Sequence, residues 1–364
     1  MPAPAGSVPR VHAFLLAGQF PGTSHAQTLA AAHDYALAAE RAGFAGVWIA
    51  EHHFISYGVC PSAVAFAGHL LGTTSRITVG TAACVLSNRH PVALAEEAVL
   101  LDELSGGRFA LGVGRGGPWV DLEVFGTGLD RYATGFAESV DLLRSWLSGA
   151  ETVGGAGPEF TFRPVPVVPR PRRPVPLWIA ATSPSTVELA ARRGLPLLLG
   201  MQADDEEKAE LLAGYARTAA AHGHDPAAIE HASAHLAYLA DSDAEAVETV
   251  RAGLPGLLAG TDGYVRIDGS ARSRPDRDRY LERLLDLHPV GGERRCLDRL
   301  GETVARTGVR DLLLMVEAAG DRQRTLANIA RLGAEVLPAI RTGAVNPYRG
   351  PGTAPAPTTA RGGP

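Results

Sequence analysis

Short apolar runs alternate with longer, mixed segments along most of this chain. "VHAFLLAG", "AGVWIA", "RITVGTAACVL", "RFALGVGRG", "PLWIAATS", "LPLLLGMQ", "HASAHLAYLA" and "DLLLMVE" are nearly continuous in apolar residues, as strands buried on both faces must be. Between them apolar positions recur at helical spacing: from about Thr28 to Ala42, Ser62 to Gly72, through "PVALAEEAVLLDELSGG" after Pro91, in "PSTVELAARRG", from Asp204 to Ala221, and onward from Asp243. Eight apolar strands, each followed by a helix, predict an α/β fold of the closed (β/α)8 TIM barrel type rather than an open doubly wound sheet.

Two stretches break the rhythm. Residues 150–175 are crowded with proline and glycine and read as an insertion after the fourth unit. Residues 259–289 are polar and too long for an ordinary connection, so a lid-like loop before the eighth strand is expected there. Residues 1–10 read as a tail, 11–342 as the barrel, and 343–364, rich in Pro, Gly, Ala and Thr, as a disordered tail.

Composition narrows the picture. With 46% hydrophobic and 20% charged residues the chain is ordinary for a globular protein, and without a run of about 18 apolar residues it offers no membrane span. The start "MPAPAGSVPR" lacks the pattern of a secretory signal, so a cytoplasmic protein is expected. Cys60, Cys84 and Cys296 lie far apart, outside any C-x-x-C spacing, which argues for reduced thiols and against a zinc site. A net charge of −5 without a basic tract leaves no footprint for nucleic acid, and a small molecule is the expected partner. Only Lys208 is a lysine, a bias that carries no mechanism.

The candidate chemistry sits at strand ends, where a barrel delivers side chains into its βα loops. The second strand runs into Glu51, His52 and His53; Glu51 and His52 are pocket candidates, although surface histidines with a bridging glutamate fit equally. The third ends in Gly80, Thr81, Ala82 and Ala83, small enough for a flat ring to approach or simply for tight packing. At the fifth, "ATSPST", Ser183 precedes Pro184 and a helix. That is either an anion site or a plain N-cap with proline at the first helical position. "GVGRGG" matches G-x-G-x-x-G through Gly112, Gly114 and Gly117, but a dinucleotide fingerprint opens directly into a helix. Here Pro118 and Trp119 follow, and no helix is expected before about Arg131. Arg115 remains, a guanidinium able to fork onto a phosphate or a ring carbonyl, or to form a surface ion pair.

With these residues in view the chain resembles the bacterial luciferase-like flavin-dependent monooxygenases, the luciferase alpha subunit above all. The likeness runs in order through "GFAGVWIAEHHF", "RITVGTAACVL", "HPVALAEEAVLLDELSGGRFALGVGRG", "FGTGLDRY", "AATSPSTVELAARRGLPLLL" and "HPVGGERRCLDRLGETVARTGVRDLLL". It implies a barrel that takes reduced FMN from a separate flavin reductase, reacts it with O2 and oxygenates a small organic or secondary-metabolite substrate through a flavin 4a-hydroperoxide. It also implies roles. His52 falls on the histidine near flavin and peroxide, able to serve as a base and then, as imidazolium, to stabilise the anionic peroxide. Ala82 and Ala83 fall on a pair joined by a cis peptide beneath the isoalloxazine. Arg115, Ser183 and Thr186 fall on phosphate-holding positions, and Glu51 precedes the histidine as it does there. The chain departs from the alpha subunit at Gly114, where a cysteine stands, and at Thr182, where a glutamate precedes the phosphate serine. Light emission therefore does not follow, and Trp119 is expected to shape a different substrate pocket. Alternatives remain open: a deazaflavin-dependent hydride-transfer enzyme, or a non-catalytic partner subunit. A homodimer is expected by the same resemblance.

Overall fold

The computed structural model describes residues 8–270 and 276–342; the 343–364 tail expectation lies outside the described residues. The eight apolar runs become eight strands: β1 (Arg10–Leu15), β2 (Gly46–Ile49), β3 (Thr78–Thr81), β4 (Phe109–Gly114), β5 (Leu177–Ala181), β6 (Leu197–Leu199), β7 (Ala232–Leu236) and β8 (Asp311–Met315). Each pairs in parallel with its neighbours, β1 with β8 in the register Arg10↔Asp311, and the β3–β4 pairing closes the cylinder. Arg10 thus opens β1 rather than ending a tail.

Alternation along each strand divides the core. Ala13, Leu15, Val47 and Ile49 face the surrounding helices, whereas Phe14, Trp48, Ala110, Leu198, Ala234 and Leu313 form an inner cluster. Side-chain size then decides where the barrel is full. One end is plugged by Trp48, edge-on to Trp178 at 5.6 Å, and by His12, whose Nε2 lies 2.7 Å from Asp311. At the other end Ala50, Ala82, Ala180, Ala232 and Ala234 cannot fill the bore, and a cavity remains.

The helices around the barrel are α1 (His25–Ala42), α2 (Ala63–Thr73), α3 (Pro91–Ser105), α4 (Val120–Val124), α5 (Gly128–Ala133), α6 (Gly135–Leu147), α7 (Pro184–Arg192), α8 (Asp205–Ala221), α9 (Asp243–Ala259), α10 (Arg277–Leu287), α11 (Glu293–Thr307) and α12 (Arg322–Arg331). Local signals set their bounds: a Ser24–Gln27 capping box opens α1, and Gly106 at φ 68° stops α3.

The structure corrects the expectation of no helix before Arg131, since α4 and α5 precede or include it. At five and six residues they are too short to show apolar periodicity. The 150–175 stretch holds an antiparallel hairpin, Thr152–Ala156 with Thr161–Pro166. The 259–289 stretch, read as loop, contains α10, whose Leu281, Leu284 and Leu285 are buried at helical spacing beside Leu254 and Leu257 of α9. Among the described residues no helix is long and apolar enough to cross a membrane.

Candidate active site

Beyond β2 the chain turns sharply, with Phe54 at φ 61°, and Glu51 anchors that turn. Its carboxylate is buried and accepts from the backbone N–H of Ala63 and of Val85, both at 3.0 Å, tying α2 to the segment after β3. Burial alone would raise its pKa. The His53 ring at 3.5 Å, the Arg89 charge and the two backbone donors outweigh burial and hold the group below the usual carboxylate range. Glu51 is therefore a clamp: both oxygens are taken by the chain itself.

His52 points into the mouth. Its backbone N–H donates to Cys60 O at 3.0 Å, and its ring meets Tyr57 edge-on at 5.1 Å. Nδ1 is buried without a hydrogen-bond partner, against Gly58, where any Cβ would stand 2.4 Å from it. Burial pushes the imidazole down to about 4, with Glu51 opposing and His53 adding to the fall. The ring is thus neutral near pH 7, in a setting where a neighbouring negative charge would raise its proton affinity.

Ala82 and Ala83 line the mouth, and the peptide bond between them is cis, the geometry the resemblance implies for this pair. Ala180 and Gly114 continue the surface: a Cβ on Gly114 would lie 3.4 Å from that of Ala180 and 3.6 Å from that of Ala83. Gly80 and Thr81 serve packing instead. Gly80 lies against Trp48, and the Thr81 hydroxyl locks β3 to β4 by donating to Gly112 O and accepting from Gly112 N.

At the end of β5, Ser183 caps α7 by accepting from Thr186 N–H at 3.4 Å, with Pro184 at the first helical position. The hydroxyls of Ser183 and Thr186 are 3.1 Å apart, with Ser185 Oγ 3.2 Å from Ser183. Thr182 is exposed between this corner and the mouth. Arg115 is elsewhere. Its Nη1 donates to the carbonyls of Tyr132 and Ala133, and its guanidinium lies 5.0 Å from the Phe136 ring centroid. It thus secures the end of α5 and lines neither mouth cavity.

Two cavities meet at the mouth, of about 410 and 450 Å³, and share His52, Ala180, Thr182, Gln202 and Tyr264. Sequence reasoning missed Tyr57, Gln202, Tyr264 and Tyr280, which approach from three loops and from α10; Tyr264 and Tyr280 lie within the polar stretch and were its only aromatic signal. Burial pushes the Tyr57 and Tyr280 phenols up, so both stay protonated, and the Asp262–Arg277 ion pair lies at the rim. Trp119 fixes the segment around Tyr264. It stacks on Tyr264 at 4.6 Å, while Val120 N–H donates to Val265 O and Ile267 N–H to Pro118 O, so 264–267 lies along the loop after β4. The mouth therefore offers a flat floor of small residues, the unpartnered Nδ1 of His52 and neutral donors.

Comparison with known proteins places the chain in a family. The chain is 29% identical over 354 residues to the alkanal monooxygenase alpha chain of the Kryptophanaron alfredi symbiont, covering 90% of this chain and 97% of that one. Its fold matches monooxygenase RslO1 from Streptomyces bottropensis with a TM-score of 0.79 at 24% identity, over 90% and 99% of the two chains. It also matches an F420-dependent secondary alcohol dehydrogenase with a TM-score of 0.73 at 19% identity, over 92% and 100%. The sequence pattern that describes the luciferase-like monooxygenases matches residues 10–311, and this chain belongs to that family.

Proposed function

We propose that the chain is a monooxygenase that binds reduced FMN at the barrel mouth and uses O2 to oxygenate a small, largely apolar organic substrate. The observation that carries this reading is the mouth itself: contiguous cavities floored by Ala82, Ala83, Gly114 and Ala180, with the orphaned His52 imidazole in the wall. Small residues admit a flat ring face to face. The uncharged donors around it suit ring carbonyls and nitrogens, so the residues present fit an isoalloxazine. The Ser183 and Thr186 hydroxyls at the start of α7 would hold its phosphate, since two hydroxyl donors and the positive end of the helix dipole favour an anion there.

When bound, the reduced flavin supplies the electrons that activate O2. The chain's own residues do the rest. His52, neutral at rest, donates a hydrogen bond at the reacting face and accepts a proton once negative charge develops beside it. Tyr57, Tyr264 and Leu258 close the mouth against water, whose entry would waste the oxidant. Glu51 orients the turn that carries His52. The glycines of "GVGRGG" lie in β4 and the turn after it, not at a helix start, which supports delivery of reduced flavin by a separate reductase. Pairing as a homodimer through α2 and α3 would cover Leu100 and Leu104, which are 49% and 78% exposed.

Anaerobic titration tests the cofactor. Reduced FMN should bind more tightly than oxidised FMN and more tightly than a reduced deazaflavin; preference for the deazaflavin would move the chain to hydride transfer.

A further inference from the structure

A cavity of about 850 Å³ opens between α7 and α8 and adjoins the mouth, with which it shares Thr182, Leu199, Gly200 and Gln202. Pro184, Val187, Ala203 and Leu211 give it apolar walls. Lys208, the sole lysine of the chain, also lines it and is only 1% exposed. A buried ammonium is tolerated when a carboxylate neutralises it. Here none does.

Asp205, one turn earlier on α8, is already spent: Arg299 of α11 reaches it at 3.2 Å, and the Thr303 hydroxyl donates to it at 2.9 Å. Glu207 accepts from Asp204 N–H and pairs with Arg283, and Glu188 pairs with Arg192. From the barrel side, His235 Nε2 lies 2.9 Å from Ser233 Oγ and His288 Nε2 bonds Met201 O; burial holds both imidazoles neutral. Among the described residues the Lys208 ammonium makes no hydrogen bond and no ion pair within 4.0 Å. Arg217 and Glu210 stand exposed along the same cavity. Burial pulls Lys208 down to about 8, with Asp205 opposing and Arg299 assisting, so most of it is still charged near neutrality.

We propose that this cavity is a second ligand site, one that takes an organic monocarboxylate with its apolar body between α7 and α8 and its carboxylate against Lys208. The missing counter-charge is then supplied by the ligand, and the apolar walls select an acid with a hydrocarbon body over a small inorganic anion. The assignment does not depend on flavin chemistry and is tested on the protein alone.

Because there is one lysine, protein labelled with 13C-lysine gives a single side-chain signal to follow. Decanoate should shift that signal saturably, and calorimetry should show decanol binding at least about tenfold more weakly, the loss expected for an unmade charge-assisted hydrogen bond. Lys208→Met, which removes an unpaired buried charge, should keep the fold and erase the preference for decanoate over decanol. Leu211→Trp, which fills the cavity, should abolish decanoate binding while leaving the lysine signal in place. Equal affinity for decanoate and decanol, or undiminished decanoate binding in Lys208→Met, would overturn the proposal. Tighter binding of decyl phosphate than of decanoate would overturn the carboxylate assignment.

Discussion

His52 concentrates the residue-scale argument, because a buried, unpartnered imidazole is costly to keep unless it acts. Replacing it with alanine removes a proton acceptor without touching the floor or the phosphate corner. His52→Ala should therefore bind reduced FMN within about threefold of the parent, while turnover falls roughly 10²–10⁴-fold, the usual worth of a positioned acid–base group. Single-turnover kinetics with equilibrium titration separates the two effects, and equal losses in both would assign His52 to binding alone. This residue was legible because it interrupts an apolar strand. Arg115 was legible as a residue but not as a geometry: its partners, the carbonyls of Tyr132 and Ala133, belong to α5, which has no sequence signature.

At the scale of elements, Glu51 and Trp119 each hold two pieces of chain together. Glu51→Ala would leave the Ala63 and Val85 N–H groups unpaired in a buried place, a cost of about 2–5 kcal/mol, read as a lower urea midpoint with an unchanged slope. Trp119→Ala removes the stack on Tyr264, and amide exchange should accelerate at Val120 and Ile267, whose N–H groups tie the two segments together, with Leu313 of β8 unaffected as an internal control. The eight strands were readable because parallel barrel strands are apolar on both faces, and helices such as α7 and α8 because the caps Ser183 and Asp204 mark their starts. In α10 the spacing of Leu281, Leu284 and Leu285 was present, but the arginines and aspartates around it masked the helix as loop. The meeting of Tyr57, Gln202, Tyr264 and Tyr280 was not readable at all, since closure of the barrel, not local sequence, brings them together.

For the whole molecule, buried titratable groups set the response to acid. Burial pushes His52 and His231 down to about 4 and His288 to about 3, and the Nδ1 lone pair of His231 accepts from Leu197 N–H. An unfolded histidine titrates near about 6.5, so below that pH the unfolded chain binds more protons than the folded one, and stability falls as pH falls toward about 4. Glu317, pushed up to about 7 by burial despite backbone donors at Leu16, Gly18 and Ala17, works in the opposite direction between its unfolded value and about 7. Three histidines outweigh one carboxyl. The urea midpoint should drop between about pH 7 and about pH 5, and a flat profile would show that these imidazoles are not buried neutral. The central claim, that the mouth binds reduced flavin and governs its reaction with oxygen, is tested most directly by stopped flow. Protein premixed anaerobically with reduced FMN is mixed with oxygenated buffer, and the return of oxidised-flavin absorbance is followed. A return much slower than for free reduced FMN, and faster again in His52→Ala, is the result this account predicts; a return at the free rate with the parent protein would contradict it.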